Sequence, residues 1–306
     1  MTQELTSKPG WRTLAIGRHL IDVPVDAALI QQWKFGSDEL TYLPIRDDAH
    51  LKKIVEQREA ELRAAKHETR GSMFIDRWVH APNGVTLLSY NREYSEILHR
   101  FESYFRAGNN AIKYVGTLSP KKHEVIHKEF GLLAQEWRAI SPGQIPTEPG
   151  YVAGDMLLMD SRFNYESWSL YIKLANKPDV SLEVRSFVVG AVKPDQTLRK
   201  RAGGILVGML GMAAGLHRLR NRERQVGPIW AEEILVAGTQ DGKRGYGFKW
   251  EAPGKEESLA EPQLNIALEV SESAYKTNAE SFKDDDEALA LWDTLVESIR
   301  LRPGAV

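Results

Sequence analysis

The chain has no cysteine, which removes disulfides, thiol nucleophiles and thiolate metal sites at once. The redox compartment stays open. A dominant charge is missing too: 40 basic residues face 42 acidic ones, a formal net charge of −2, so no overall field draws the chain to nucleic acid or to an anionic membrane. No apolar run reaches the roughly 18 residues that a spanning helix needs, so no integral membrane segment is expected. The nearest, Ala202 to Leu216 (AGGILVGMLGMAAGL), has the length of a core helix, and its Gly204 to Gly208 spacing permits close packing of that helix. The start, MTQELTSKPG, lacks an apolar h-region, so the chain reads as a mature fragment with an added Met1 and not as a signal-bearing precursor. G-x-S-x-G, Walker A, G-x-G-x-x-G and deaminase signatures are all absent, so no assembled nucleophile system and no cofactor is implied.

What remains is an ordinary globular composition, 42% apolar and 27% charged over 306 residues, a length that suits two cores of about 150 residues each. The clearest unit is Trp230 to Gly254. Ala231 to Gly238 and Gly245 to Glu251 are β-branched and aromatic runs separated by the turn formers Thr239 to Lys243, which predicts a hairpin. Tyr246, Phe248 and Trp250 fall on alternate residues and so share one strand face, where they supply core area.

The order of signals repeats along the chain. Short extended runs at 12–16, 19–23, 30–35 and 39–43 precede a helix capped by Asp47 or Asp48, with its apolar stripe at Leu51, Ile54, Val55, Leu62 and Ala65. Four more runs, 73–80, 85–91, 96–104 and 111–118, lead to a helix opened by Ser119-Pro120 and striped by Val125, Ile126, Phe130, Leu133 and Trp137. Beyond Gln144 to Gly150 (QIPTEPG), a proline-stiffened linker, the plan recurs. Runs at 151–159, 168–174 and 181–189 are followed by a helix from about Pro194 into the glycine-rich stretch. Four further runs, 216–223, 231–238, 245–251 and 263–271, then lead to a last helix capped by Asp284 to Glu287. The closing segments Glu136 to Gly143 and Glu297 to Gly304 end alike, in proline and glycine. The pattern predicts a duplicated α+β fold: two similar lobes, 1–143 and 151–306, each a mainly antiparallel sheet covered by helices on one side, with 144–150 as linker.

Two stretches carry candidate chemistry. His123-Glu124-Val125-Ile126-His127 matches H-E-x-x-H inside a predicted helix; both imidazoles would lie one turn apart, able to share a zinc ion, with Glu124 as base for a metal-bound water. Lys121, Lys122 and Lys128 flank it, and Glu136 and Glu148 are its generic third-ligand candidates. A solvated helix face is the favoured reading, with a zinc-dependent hydrolase as the alternative. Arg218, Arg220, Arg222 and Arg224 alternate in HRLRNRERQV, so a regular strand would project four guanidinia from one face, a stripe suited to carboxylates of a partner or to phosphates. Cross-strand pairing with Glu232 or Glu233 is the structural counterpart of that reading.

Gly17-Arg18-His19-Leu20-Ile21-Asp22-Val23-Pro24, the hairpin from Glu232-Glu233 through Tyr246, Phe248, Trp250 and Glu251, and the closing Leu291-Trp292-Asp293 with Ser298 to Gly304 together resemble one family. It is the immunity proteins (Tli family) that protect bacteria from phospholipase toxins of the type VI secretion system. The resemblance spans both halves. It implies a non-catalytic, two-domain periplasmic inhibitor, shaped like a claw, that grasps a cognate lipase effector one to one and blocks substrate access to its active site. It transfers no contact residues, so Arg218, Arg220, Arg222 and Arg224 stand as the partner-binding expectation, and no metal or cofactor is implied.

Overall fold

Alternation of apolar and polar residues over most of the chain selects β-sheet, and the fold is mainly antiparallel sheet with three helices among the described residues. In this computed structural model those residues are 8–159, 165–201, 217–240, 243–270 and 281–306. The glycine-rich stretch 202–216 and the hairpin tip 241–242 lie outside them. The chain divides into two compact units, a central one of Gln32–Phe163 and a terminal one of Met1–Gln31 with Asn164–Val306.

In the central unit, β3 (Ala28–Phe35) and β4 (Asp38–Pro44) precede α1 (Asp48–Ala64). Then come β5 (Phe74–His80), β6 (Gly84–Arg92), β7 (Ser95–Ala107), β8 (Asn110–Leu118), α2 (His123–Glu136) and β9 (Trp137–Ala139). The sheet order is β3-β4-β8-β7-β6-β5. Asp47 caps α1 by accepting from His50 N at 2.8 Å, satisfying one of the free N–H groups of the first turn. Leu51, Val55 and Leu62 then pack on Leu87, Tyr104 and Ala111. Phe130 of α2 packs edge-on against Phe101, Phe105 and Tyr114. Because Phe105 and Tyr104 are neighbours on β7, they point to opposite faces. The helices therefore cover both faces of this sheet, where the sequence suggested one.

The terminal unit repeats the plan. β12 (Glu166–Lys173), β13 (Val180–Phe187), β14 (His217–Glu223), β15 (Glu232–Gln240), β16 (Lys243–Ala252) and β17 (Gln263–Val270) are followed by α3 (Asp285–Ser298) and β18 (Arg300–Leu301). Their order is β12-β13-β17-β16-β15-β14, strand for strand that of the central sheet. The expected hairpin is β15–β16, and Tyr246, Phe248 and Trp250 are buried on the α3 side, Phe248 against Trp292 at 5.6 Å. Asp284 caps α3 through Glu287 N at 2.9 Å, and Glu287 reaches back to Lys283 N at 2.8 Å. The helix expected from Pro194 is, over its described part, one short turn at Pro194–Gln196.

Two small sheets explain where the unit boundaries fall. The hairpin β1 (Trp11–Ile16) and β2 (His19–Pro24) pairs with β18, while the hairpin β10 (Tyr151–Ala153) and β11 (Met156–Leu158) pairs with β9. Each sequence repeat thus opens with a hairpin that packs in the other repeat's unit. The boundaries 1–143 and 151–306 follow the repeat, whereas the compact units exchange these hairpins. The stretch 144–150 consequently joins β9 and β10, the two strands that flank β11 in one small sheet, inside the central unit.

Candidate partner-binding surface

The arginine stripe is built on β14, the first strand of the β14–β15–β16 meander. A bulge between Arg218 and Arg220 places Arg218 opposite Val236, and Arg220 and Arg222 opposite Leu235 and Glu233. Paired residues share a face, so Arg218 leaves the stripe. The other three converge on Glu233, a fully buried carboxylate. Arg224 Nη1 donates to it at 3.0 Å, Arg220 lies at 3.4 Å and Arg222 at 3.5 Å. Arg220 also grips Asp293 of α3 with two bonds of 2.6 and 2.9 Å, and buried Arg224 reaches Asp293 at 2.8 Å and Glu297 at 3.0 Å.

Electrostatics follow the geometry. The hydrogen bonds that Arg220 donates to Asp293 raise the pKa of Arg220. Burial pushes Asp293 upward, but the Arg220 bonds and the charges of Arg224 and Arg220 prevail and hold it below its ordinary value. Arg220 and Arg224 therefore fasten β14 to α3. Arg218 is exposed and Arg222 is 51% exposed.

The H-E-x-x-H helix is α2, whose inner face lies on β5 and β7. His123 Nε2 and His99 Nδ1 stand 2.8 Å apart, and the His127 ring stacks on Trp78 at 4.9 Å and 23°. Glu124 is exposed and paired with Lys128 at 2.8 Å. No group of three metal-ligating side chains occurs among the described residues. The spacing does put His123 and His127 near one another, but stacking and the His99 contact occupy their rings, and neither Glu136 nor Glu148 completes a ligand set. The zinc reading finds no third ligand among the described residues.

A feature not anticipated from the sequence is an open groove of about 930 Å³ in the terminal unit. Its floor is the sheet face opposite α3, where Gln263, Asn265, Ala267 and Glu269 of β17 alternate with the buried Leu264, Ile266 and Leu268. On its flanks stand Glu183, Arg185 and Phe187 of β13 and Lys249 and Glu251 of β16. The wall comes from 191–201 with Trp230. Arg201 pairs with Glu251, and Arg185 with Glu183 at 2.6 Å. The period-2 pattern of β17 was the available signal; what hid the groove was that its walls come from segments far apart in sequence.

Comparison with known families and structures gives a consistent result. Residues 144–304 match the family model described as Tle cognate immunity protein 4 C-terminal domain. A chain of the crystal structure of the Tle4–Tli4 complex is 33% identical, with a TM-score of 0.88 over 97% of this chain and 99% of that one. The apo structure of the type VI secretion immunity protein TplEi from Pseudomonas aeruginosa is 33% identical, with a TM-score of 0.86 over 97% and 99%. The same protein complexed with an "L" peptide is 32% identical, with a TM-score of 0.83 over 97% and 100%. Curated proteins give no match. No described helix is long and apolar enough to cross a membrane. On the family match and on a likeness that runs almost end to end, the chain belongs to the Tle cognate immunity protein 4 family, the immunity proteins of type VI secretion lipase effectors.

Proposed function

We propose that this protein is a non-catalytic inhibitor that binds a cognate type VI lipase effector one to one, in the periplasm, and keeps substrate from its active site. The observation that carries the reading is the likeness, over nearly the whole chain, to a chain of the Tle4–Tli4 complex. The absence of an assembled nucleophile among the described residues is compatible with it. A two-sided, claw-like grip by the two repeats is part of the proposal, supported by the duplicated strand order. A linear segment of the effector contributes to the contact, supported by the neighbour solved with a peptide. Of the four arginines, Arg222 in the stripe and Arg218 outside it are the exposed cations offered to the partner, and Arg220 and Arg224 hold the strand that presents them.

Titration of the purified protein into its cognate effector, following binding heat and residual phospholipase activity together, tests this directly. Saturation near one to one with activity lost is the expected result. An effector that stays fully active with no heat of binding rejects the reading. Charge reversal of Arg218 and Arg222 weakens binding and flattens its salt dependence; unchanged affinity and salt slope would withdraw the arginine assignment alone.

A further inference from the structure

The groove on the β13–β17–β16 face carries an inference that rests on the immunity reading and deepens it. Its floor is polar along its length, yet its centre is shallow in side chain: Ala267 lies between Glu183 and Lys249 in the pairing register. Long side chains thus stand on both sides of a small one, which is what makes a channel. The ends differ in charge. At one end, Val192 N donates to Glu256 at 3.2 Å, fixing 191–193 beyond the end of β16 near Gln263. Lys193 is exposed there, beside Arg201 and Arg185. At the other end, Glu269 is exposed, opposite Ser181 and Gly247. Neither Lys193 nor Glu269 has an ion pair among the described residues. Thr197 Oγ1, in the wall beside Lys193, is buried without a hydrogen-bond partner, and a buried polar atom left so is costly unless something supplies the bond.

From Gln263 to Glu269 the strand advances about 20 Å, at roughly 3.3 Å per residue, the length of about six extended residues. We infer that this groove holds an extended, polar segment of the cognate effector, with an acidic side chain toward Lys193 and a basic one toward Glu269. The occupant is polar because the floor presents Gln263, Asn265, Arg185, Glu183 and Lys249 as groups to be hydrogen-bonded or paired. An apolar anchor would leave those groups desolvated and unpaired.

The test uses the full chain and the purified cognate effector. Three variants at exposed or half-exposed positions, Lys193→Glu, Glu269→Lys and Ala267→Tyr, reverse each end and fill the middle. Each is expected to weaken effector binding about tenfold or more, with the denaturation midpoint of the free protein unchanged. A photo-crosslinking side chain placed at Ala267 is expected to join one short contiguous segment of the effector, identified by mass spectrometry. If all three variants bind with wild-type affinity, or if the crosslinker captures no effector residue from the saturated complex, the groove assignment is overturned while the immunity reading stands. If the wild-type protein itself does not bind the effector, it is the immunity reading that fails.

Discussion

At Gly17 the backbone runs at φ +56°, and a Cβ built there would lie 2.2 Å from Trp168 Cδ1. Only glycine can both turn the β1–β2 hairpin and let β12 approach so closely. Gly17→Ala is expected to destabilise by roughly 1–3 kcal/mol, measured by urea denaturation; an unchanged midpoint would mean that Trp168 moves aside freely. The neighbouring residues of the same motif have equally local work. Arg18 makes a buried two-bond pair with Glu166 at 2.8 and 2.7 Å, and His19 lies against Trp168 at 5.9 Å. The motif that carried the family resemblance is therefore structural, which is why it could reveal the family and yet name no contact residue. Glu233 shows the same limit from the other side. The alternation of arginines and Glu233 as a cross-strand acidic partner were legible in the sequence, but not the bulge that removes Arg218 from the stripe, nor that one buried carboxylate gathers the other three. Glu233→Ala leaves those cations without their common anion and is expected to cost about 3–5 kcal/mol, again by denaturation. A loss well under 1 kcal/mol would show that Asp293 and Glu297 suffice.

Helix α2 meets the central sheet at a cluster of histidines, and burial disfavours the charged forms of His80, His99 and His123. Burial, helped by the charge of His127, lowers the pKa of His80 to about 4. Burial also lowers His99 and His123, which touch each other. In the terminal unit burial and the Arg18 charge lower His19 to about 4. An unfolded chain binds these protons near 6.5, before the folded one does, so stability is fully present above that pH and falls as pH drops from 6.5 toward 4. By pH 5 the loss amounts to ~2 kcal/mol from each of His19 and His80, read as a falling denaturation midpoint. His80→Gln should flatten that fall, and a variant with the wild-type pH profile would assign the acid sensitivity elsewhere. A separate acid limb lies lower. Burial pushes Glu102 up, but Arg58 and Lys113 outweigh it and hold the carboxyl at about 2, so its stabilisation is present above its unfolded value of 4.5 and is lost below it. At the scale of elements, strand and helix positions were readable because period 2 and period 3.6 persist over whole segments, and the caps at Asp47 and Asp284 sit where the sequence placed them. That the two helices cover opposite faces of the central sheet was not readable, since an apolar stripe says that a helix packs and not on which face.

The whole molecule is a duplication whose opening hairpins are exchanged, and this decides what a piece of it can do. The family model begins at residue 144, so it takes in β10–β11, which pair in the central unit, and omits β1–β2, which pair with β18. A fragment of 144–306 would leave Glu166 buried without Arg18, Ser298 without its bond to Asp22 N at 2.9 Å, and β18 without a partner strand. Removing one member of a buried ion pair alone costs about 3–5 kcal/mol, a large share of the 5–15 kcal/mol that typically holds a domain together. The fragment is therefore expected to lack a cooperative thermal transition, and addition of a peptide covering 8–31 should restore one, because Arg18 then reaches both Glu166 and the Ala305 carbonyl at 2.5 Å. The control peptide carries Arg18→Met, which keeps the apolar Leu20, Ile21 and Val23 but not the charge. If it restores folding as well as the native peptide does, the exchanged hairpin is held by apolar burial alone. If the bare fragment melts cooperatively, the C-terminal repeat is autonomous and the exchange is not what completes it.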